Sequence, residues 1–210
     1  LEAFALDLVL GKGPSAKTLR LDVPPFTLIG ATTRAASLSS PLRDRFGIVY
    51  HLDFYPTIEM IAIVERSARL LGVPIDPAAT QIIAERSRAT PRIANRILRR
   101  IRDFADVLHT GAITLAIAKQ ALTALAIDGR GLDALDRRLL ETIIDKFAGG
   151  PIGLETLAAA ASEEADTIAD VHEPFLLRQG LIQRTKQGRL VTELAYRHLA
   201  RAVPVVAETR

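Results

Sequence analysis

The rhythm of hydrophobic and polar positions changes twice along the chain, near residues 56 and 128. The first stretch reads as strands. Leu6–Leu10 and Thr18–Asp22 are apolar segments joined by Gly11-Lys12-Gly13-Pro14-Ser15, the turn chemistry of a hairpin, and their apolar residues suit either a core or a docking surface. After Pro24-Pro25, Phe26–Ala31 is almost wholly apolar, as in a strand buried on both faces, and Ile48–Phe54 is a second such run. The polar residues Thr32-Thr33-Arg34 follow the first run, at the strand end where ligands of open α/β sheets sit.

From Thr57 the period becomes helical. Ile58, Ile61, Ala62, Val64, Ala68 and Leu71 predict a helix closed by Gly72. Asp76-Pro77 and Thr90-Pro91 are cap-then-proline starts for a second helix, to about Ser87, and a third, about 91–109. A fourth helix is predicted at about 114–126. Beyond the Gly-rich stretch 128–131, helices are predicted over Asp136–Phe147, over Leu154–Ala161, and from a cap at Ser162 to about Gln179, broken or kinked by Pro174. Leu181–Thr185 and Arg189–Thr192, turning at Lys186-Gln187-Gly188, complete three helices and a basic hairpin. That is the outline of a winged helix-turn-helix, used either on DNA or for protein contacts alone.

Composition narrows the classes. Among 210 residues, 49% are hydrophobic and 24% charged, a globular balance with one to three domains. No apolar run approaches the roughly 18 residues of a membrane span. There is no cysteine, hence no disulfide framework or thiolate chemistry. The opening Leu1-Glu2-Ala3-Phe4 has no leader character and reads as the cut edge of a longer protein. Net charge is only +3, yet residues 84–102 hold seven arginines against one Glu, and residues 178–201 hold six basic side chains against one Glu. Such local stripes fit an anionic partner, or solvated helix faces.

No complete active site is visible. There is no Gly-x-x-x-x-Gly-Lys-Ser/Thr phosphate loop, and the four histidines lack metal-ligand spacing. Pieces that complete a neighbour's site are visible instead. Arg43 and Arg45 follow Pro41 and could project to an adjacent subunit to neutralise a phosphate in transfer, or could pair with Asp44, Asp53 or backbone carbonyls. Arg92, at a helix start, suits an anionic phosphate, or is an exposed charge on a basic face.

Three motifs carry a resemblance: Pro25-Phe26-Thr27-Leu28-Ile29-Gly30-Ala31-Thr32-Thr33-Arg34, Ser40-Pro41-Leu42-Arg43-Asp44-Arg45-Phe46-Gly47 and Thr90-Pro91-Arg92-Ile93-Ala94-Asn95-Arg96. Two more lie near the C-terminus: Asp145-Lys146-Phe147-Ala148-Gly149-Gly150-Pro151-Ile152-Gly153-Leu154 and Gly180-Leu181-Ile182-Gln183-Arg184-Thr185. Together they resemble the RuvB family of bacterial Holliday-junction branch-migration motors, hexameric ATPases of the AAA+ superfamily, over essentially the whole chain. The resemblance implies an α/β fold: the C-terminal part of an AAA+ large domain over residues 1–56, a helical lid over 57–128 and a winged-helix DNA-binding domain over 129–210.

It also implies roles. Thr33, beside Thr32, would be the sensor orienting the attacking water. Arg45 would be the arginine finger acting in trans, Tyr55 a residue beside the nucleotide, and Arg92 the second sensor. Glu2-Ala3-Phe4 would adjoin the adenine, although Ala3 departs from the acidic residue usual there. Arg184 and Arg189 would contact DNA at the wing. The implied cofactors are ATP and Mg²⁺, bound mainly by a segment before residue 1, so this chain alone would be inactive. The implied partners are duplex DNA at Holliday junctions, a RuvA-type junction-binding protein gripping hairpin 6–22, further copies in a hexameric ring, and a RuvC-type resolvase, all in the cytoplasm. The alternatives are a clamp-loader-type AAA+ subunit, which lacks such a winged helix, and a non-enzymatic DNA-binding regulator, which has no use for Arg45 and Arg92 in those contexts.

Overall fold

The structure is a computed structural model and describes residues 5–11, 17–32, 38–108 and 110–204. Glu2, Ala3, Phe4, the loop of the first hairpin, Thr33 and Arg34 lie outside the described residues. The chain divides into two units, residues 1–52 and 53–210.

In the first unit, β1 (Ala5–Leu10) and β2 (Lys17–Asp22) pair antiparallel with Leu8 opposite Leu19, as the hairpin pattern predicts. Leu8, Leu19 and Leu21 are exposed. The two runs expected as buried strands, Phe26–Ala31 and Ile48–Phe54, are not strands. A strand needs a neighbour for its N–H and C=O groups, and no described segment pairs with either run. Their side chains stay open to solvent, Ile29 at 88% and Leu52 at 89% exposure. A single short turn, α1 (Ser40–Arg43), carries Pro41 as its second residue and is closed by the Ser40 hydroxyl donating to Asp44 (3.1 Å).

In the second unit, four helices form a bundle where the lid is expected: α2 (Thr57–Leu70), α3 (Pro77–Glu85), α4 (Pro91–Val107) and α5 (Leu115–Ala124). Their apolar faces meet in one core around Met60, Val64, Ile83, Leu98, Ile101 and Leu122. Asp76 and Thr90 stand at the predicted cap positions, but neither side chain accepts from the helix. Pro at the first turn supplies the start geometry instead, and the Thr90 hydroxyl donates to the Arg88 carbonyl (3.1 Å).

The winged-helix portion has a second core around Leu139, Leu140, Ile143, Leu157, Leu176 and Leu181. It is built from α6 (Ala134–Phe147), α7 (Leu154–Ala161), α8 (Ala165–Thr167), α9 (Glu173–Arg178), the hairpin β3 (Ile182–Thr185) and β4 (Gly188–Val191), and α10 (Glu193–His198). Ser162 does not cap the next helix. It closes α7 in a left-handed conformation, φ 53°, and α8 follows from Glu164. The predicted break before Pro174 is a π-helical turn, Ile168–His172, where the backbone amide of Glu173 reaches back to Ile168. Pro174 has no N–H to continue an α ladder.

Ile152 adds a further rung to the wing. It exchanges backbone hydrogen bonds with Arg189 (2.8 and 2.9 Å). The approach is so close that a Cβ on Gly188 or Gly150 would collide with the backbone opposite, and both glycines take positive φ. Among the described residues no helix is long and apolar enough to cross a membrane.

Candidate nucleotide and nucleic-acid contact sites

In the first unit, Arg45 lies just past α1. Its amide closes the turn on Leu42 (3.3 Å), and the next residue, Phe46, packs its ring on Gly30, where a Cβ would come within 3.3 Å. Gly30 thus anchors the Pro41–Gly47 turn to the Phe26–Ala31 run while Arg43 and Arg45 remain exposed. Thr32 is described and exposed; Thr33 is not described.

In the second unit, Tyr55 and Arg92 are brought to one corner of the lid. The Tyr55 amide donates to the Ala89 carbonyl (3.3 Å), and α4 starts two residues later with Arg92 exposed in its first turn. No acidic residue stands in that turn, so the helix N-terminus keeps its partial positive charge beside Arg92. Arg96, Arg99 and Arg100 continue the exposed basic face, with Arg100 3.8 Å from Asp103. A cleft of about 160 Å³ lined by Tyr55, Thr57, Met60 and Gln179 opens at this corner. Small-molecule sites run to roughly 300–1,000 Å³, so this cleft does not enclose a nucleotide by itself.

The wing differs from expectation. Arg184 and Arg189 are directly opposed in the β3–β4 register, but they are not equivalent. Arg184 is 67% exposed, 3.7 Å from Glu173. Arg189 is only 8% exposed, and its guanidinium grips the buried Glu173 carboxylate through Nη2 (2.8 Å) and Nε (3.2 Å to each oxygen). Arg189 is therefore not presented at the wing tip; its charge is spent inside the domain. Lys186, in the turn two residues after Arg184 in sequence, is a second exposed basic side chain of the wing.

One cluster has no counterpart in the sequence motifs. Asp133, Asp136 and His172 bring ligand atoms together, the one such group among the described residues that could hold a metal ion. It holds a cation already. Arg88 Nη2 lies 2.7 Å from Asp133 and 2.5 Å from Asp136, whose other oxygen pairs with His172 Nδ1 at 2.7 Å. The described residues therefore offer no fit for Mg²⁺. Burial pushes the Asp133 carboxyl up, but the Asp136 amide and the Arg88 charge outweigh it and hold that carboxyl below its ordinary value. The partners come from distant parts of the chain, which no local motif signals.

Family models match three consecutive segments: a Holliday junction DNA helicase RuvB P-loop domain over residues 1–52, a RuvB AAA lid domain over 55–128, and a RuvB C-terminal winged helix domain over 129–200. The Holliday junction branch migration complex subunit RuvB of Chloroflexus aggregans is 60% identical over 204 residues, covering 97% of this chain and 58% of that protein. Solved structures of Thermotoga maritima RuvB superpose with a TM-score of 0.82. The Holliday junction branch migration motor is 51% identical over 87% of this chain and 61% of that one. A point variant of it is 50% identical over 88% and 61%. The chain thus spans about three fifths of the length of these relatives.

Proposed function

Because the chain belongs to the RuvB family, we propose that it is the sensor, lid and winged-helix portion of an ATP-driven motor that moves Holliday junctions along duplex DNA. The observation that carries this reading is the order of RuvB-specific segments along one chain; each segment also exposes an arginine that suits the proposed role, Arg45 after α1, Arg92 at the start of α4 and Arg184 at the wing. Neither a clamp-loader-type subunit nor a DNA-binding regulator accounts for all three segments.

In this reading residues 1–56 complete the large ATPase domain, residues 57–128 are the lid, and residues 129–210 bind DNA. The phosphate loop and the acids that hold Mg²⁺ belong to a preceding segment, so the 210 residues alone do not hydrolyse ATP. Glu2, Ala3, Phe4 and Tyr55 border the adenine side. Thr33 orients the attacking water. Arg45 enters the ATP site of the next subunit and stabilises charge on the phosphoryl group in transfer, and Arg92 reads the phosphates from the lid. The exposed leucines of hairpin β1–β2 dock a RuvA-type partner. Further copies close a ring, a RuvC-type resolvase joins the same complex, and the whole acts in the cytoplasm.

The wing follows the duplex through phosphates, since a motor that passes any sequence gains nothing from reading bases. With Arg189 engaged by Glu173, that contact falls to Arg184 and Lys186. The test is branch migration of a synthetic four-way junction by the longer protein with ATP and a RuvA-type partner. Strand exchange that requires ATP supports the reading, and junction binding without ATP-dependent movement refutes it.

A further inference from the structure

The structure assigns Arg88 a positioning role: it locks the winged-helix domain to the lid helix that bears Arg92, so that the two move as one body. Arg88 belongs to the lid, three residues before α4. Its guanidinium leaves that domain, donates to the Gly131 carbonyl (3.3 Å), binds Asp133 and Asp136 at the start of α6, and stacks 4.4 Å over the Phe175 ring of α9. In return Arg178 of α9 donates to the Arg88 carbonyl (2.6 Å) and stacks on Phe54, 3.8 Å from the ring centre. The carboxylate that receives Arg88 is itself fully buried and fixed by His172.

Two further observations agree. Arg88 and Ala89 are consecutive non-glycine residues with positive φ, 56° and 53°. A backbone costly in isolation persists only where its surroundings over-determine it. The connection between the domains is also tied down, despite its glycines. Asp128 accepts from the amides of Arg130 and Leu132 (2.9 Å each) and pairs with His198 of the last helix (2.7 Å).

The clasp reaches towards the wing. His172, which holds Asp136, is followed by Glu173, which holds Arg189. Resting on the function proposed above, this makes Arg88 the link through which a lid movement sensed at Arg92 repositions the wing. Packed side chains and ion pairs of this kind are one route by which energetic coupling travels between distant sites, provided the element they join has two discrete arrangements.

The test uses the 210-residue chain, whose lack of cysteine allows clean labelling. Nitroxides at Lys119→Cys and Glu155→Cys, both exposed, report the distance between lid and winged helix. The parent should give one narrow distance distribution. Arg88→Met should broaden it, but it also strands a buried carboxylate. Arg88→Lys therefore serves as the second variant. It keeps the charge at Asp136 while losing the span across Asp133 and Gly131, and it should broaden the distribution with helical circular dichroism unchanged. A distribution as narrow as the parent's in Arg88→Lys overturns the proposal, whatever Arg88→Met does.

In the longer protein, Arg88→Lys should lose the stimulation of ATP hydrolysis by duplex DNA. Full stimulation despite a broadened distance overturns the coupling. If the unaltered protein shows no stimulation, the motor reading falls instead, because the distance measurement involves neither nucleotide nor DNA.

Discussion

Arg189 and Glu173 form a closed ion pair beneath the wing, Nη2 to Oε2 at 2.8 Å, with both side chains almost fully enclosed. An arginine that looks like a DNA contact in the sequence is in the fold a strut between β4 and α9. Removing one partner of such a pair leaves the other charge buried without compensation, at a cost of about 3–5 kcal/mol. Arg189→Ala should therefore destabilise the chain on that scale. Arg184→Ala, at the exposed rim of the same carboxylate, should cost about 1 kcal/mol or less. Urea unfolding of the two variants separates them, and equal losses would show that Arg189 is no more a structural strut than Arg184.

DNA binding should divide the other way. Arg184→Ala with Lys186→Ala should weaken duplex binding about equally for unrelated sequences. It should also shallow the slope of log affinity against log salt by about 0.9 for each phosphate that is no longer neutralised. Fluorescence anisotropy across a salt series reads both. An unchanged slope would mark the wing as a protein-contact surface and move the DNA track to Arg96, Arg99 and Arg100.

The Arg88 clasp should make stability sensitive to acid. The Asp133 carboxyl is held below its ordinary value when folded, so its contribution is fully present above the unfolded value and is lost as pH falls through the depressed folded one. Thermal unfolding at pH 7 and at about pH 3 should show a drop in midpoint that is smaller in Arg88→Met, which has already lost the guanidinium. A parallel drop in both proteins would contradict the assignment.

Gly150 is packed against the wing backbone at φ 99°, where a Cβ would strike the Arg189 carbonyl. Gly150→Ala should cost roughly 3 kcal/mol through strain and displacement of β4. Gly129, with nothing near a Cβ and ordinary φ, is the control, and Gly129→Ala should be nearly neutral. Differential scanning calorimetry of the pair decides.

Much of the lid and winged helix is legible in the sequence because those segments are locally self-sufficient. Their apolar residues recur at helical spacing, and Pro77 and Pro91 mark the starts of α3 and α4. The runs Phe26–Ala31 and Ile48–Phe54 mislead for the opposite reason. Apolar runs announce burial, but a strand also needs a hydrogen-bonding neighbour, which no described residue supplies. Ser162 misleads because a serine after an apolar helix ends it as readily as it starts the next; the left-handed backbone decides, and it has no sequence signature. At the candidate sites, Arg92 and Arg184 are exposed. The burial of Arg189 depends on Glu173, 16 residues away, and the Arg88 clasp on carboxylates more than 40 residues away. Periodicity does not show such pairings.

On the function proposed above, Arg45 completes an ATP site on the neighbouring subunit. The most direct measurement is ATP hydrolysis by mixed rings of the longer protein, combining Arg45→Ala subunits with subunits altered in the phosphate loop. Arg45→Ala alone should lose about 10³- to 10⁵-fold in rate while still binding ATP, and the phosphate-loop variant alone should be inactive. Mixing should restore part of the rate, because intact half-sites then meet across subunit boundaries. If Arg45→Ala hydrolyses ATP at the normal rate, or if the mixture never recovers activity, Arg45 does not act on a neighbour's nucleotide.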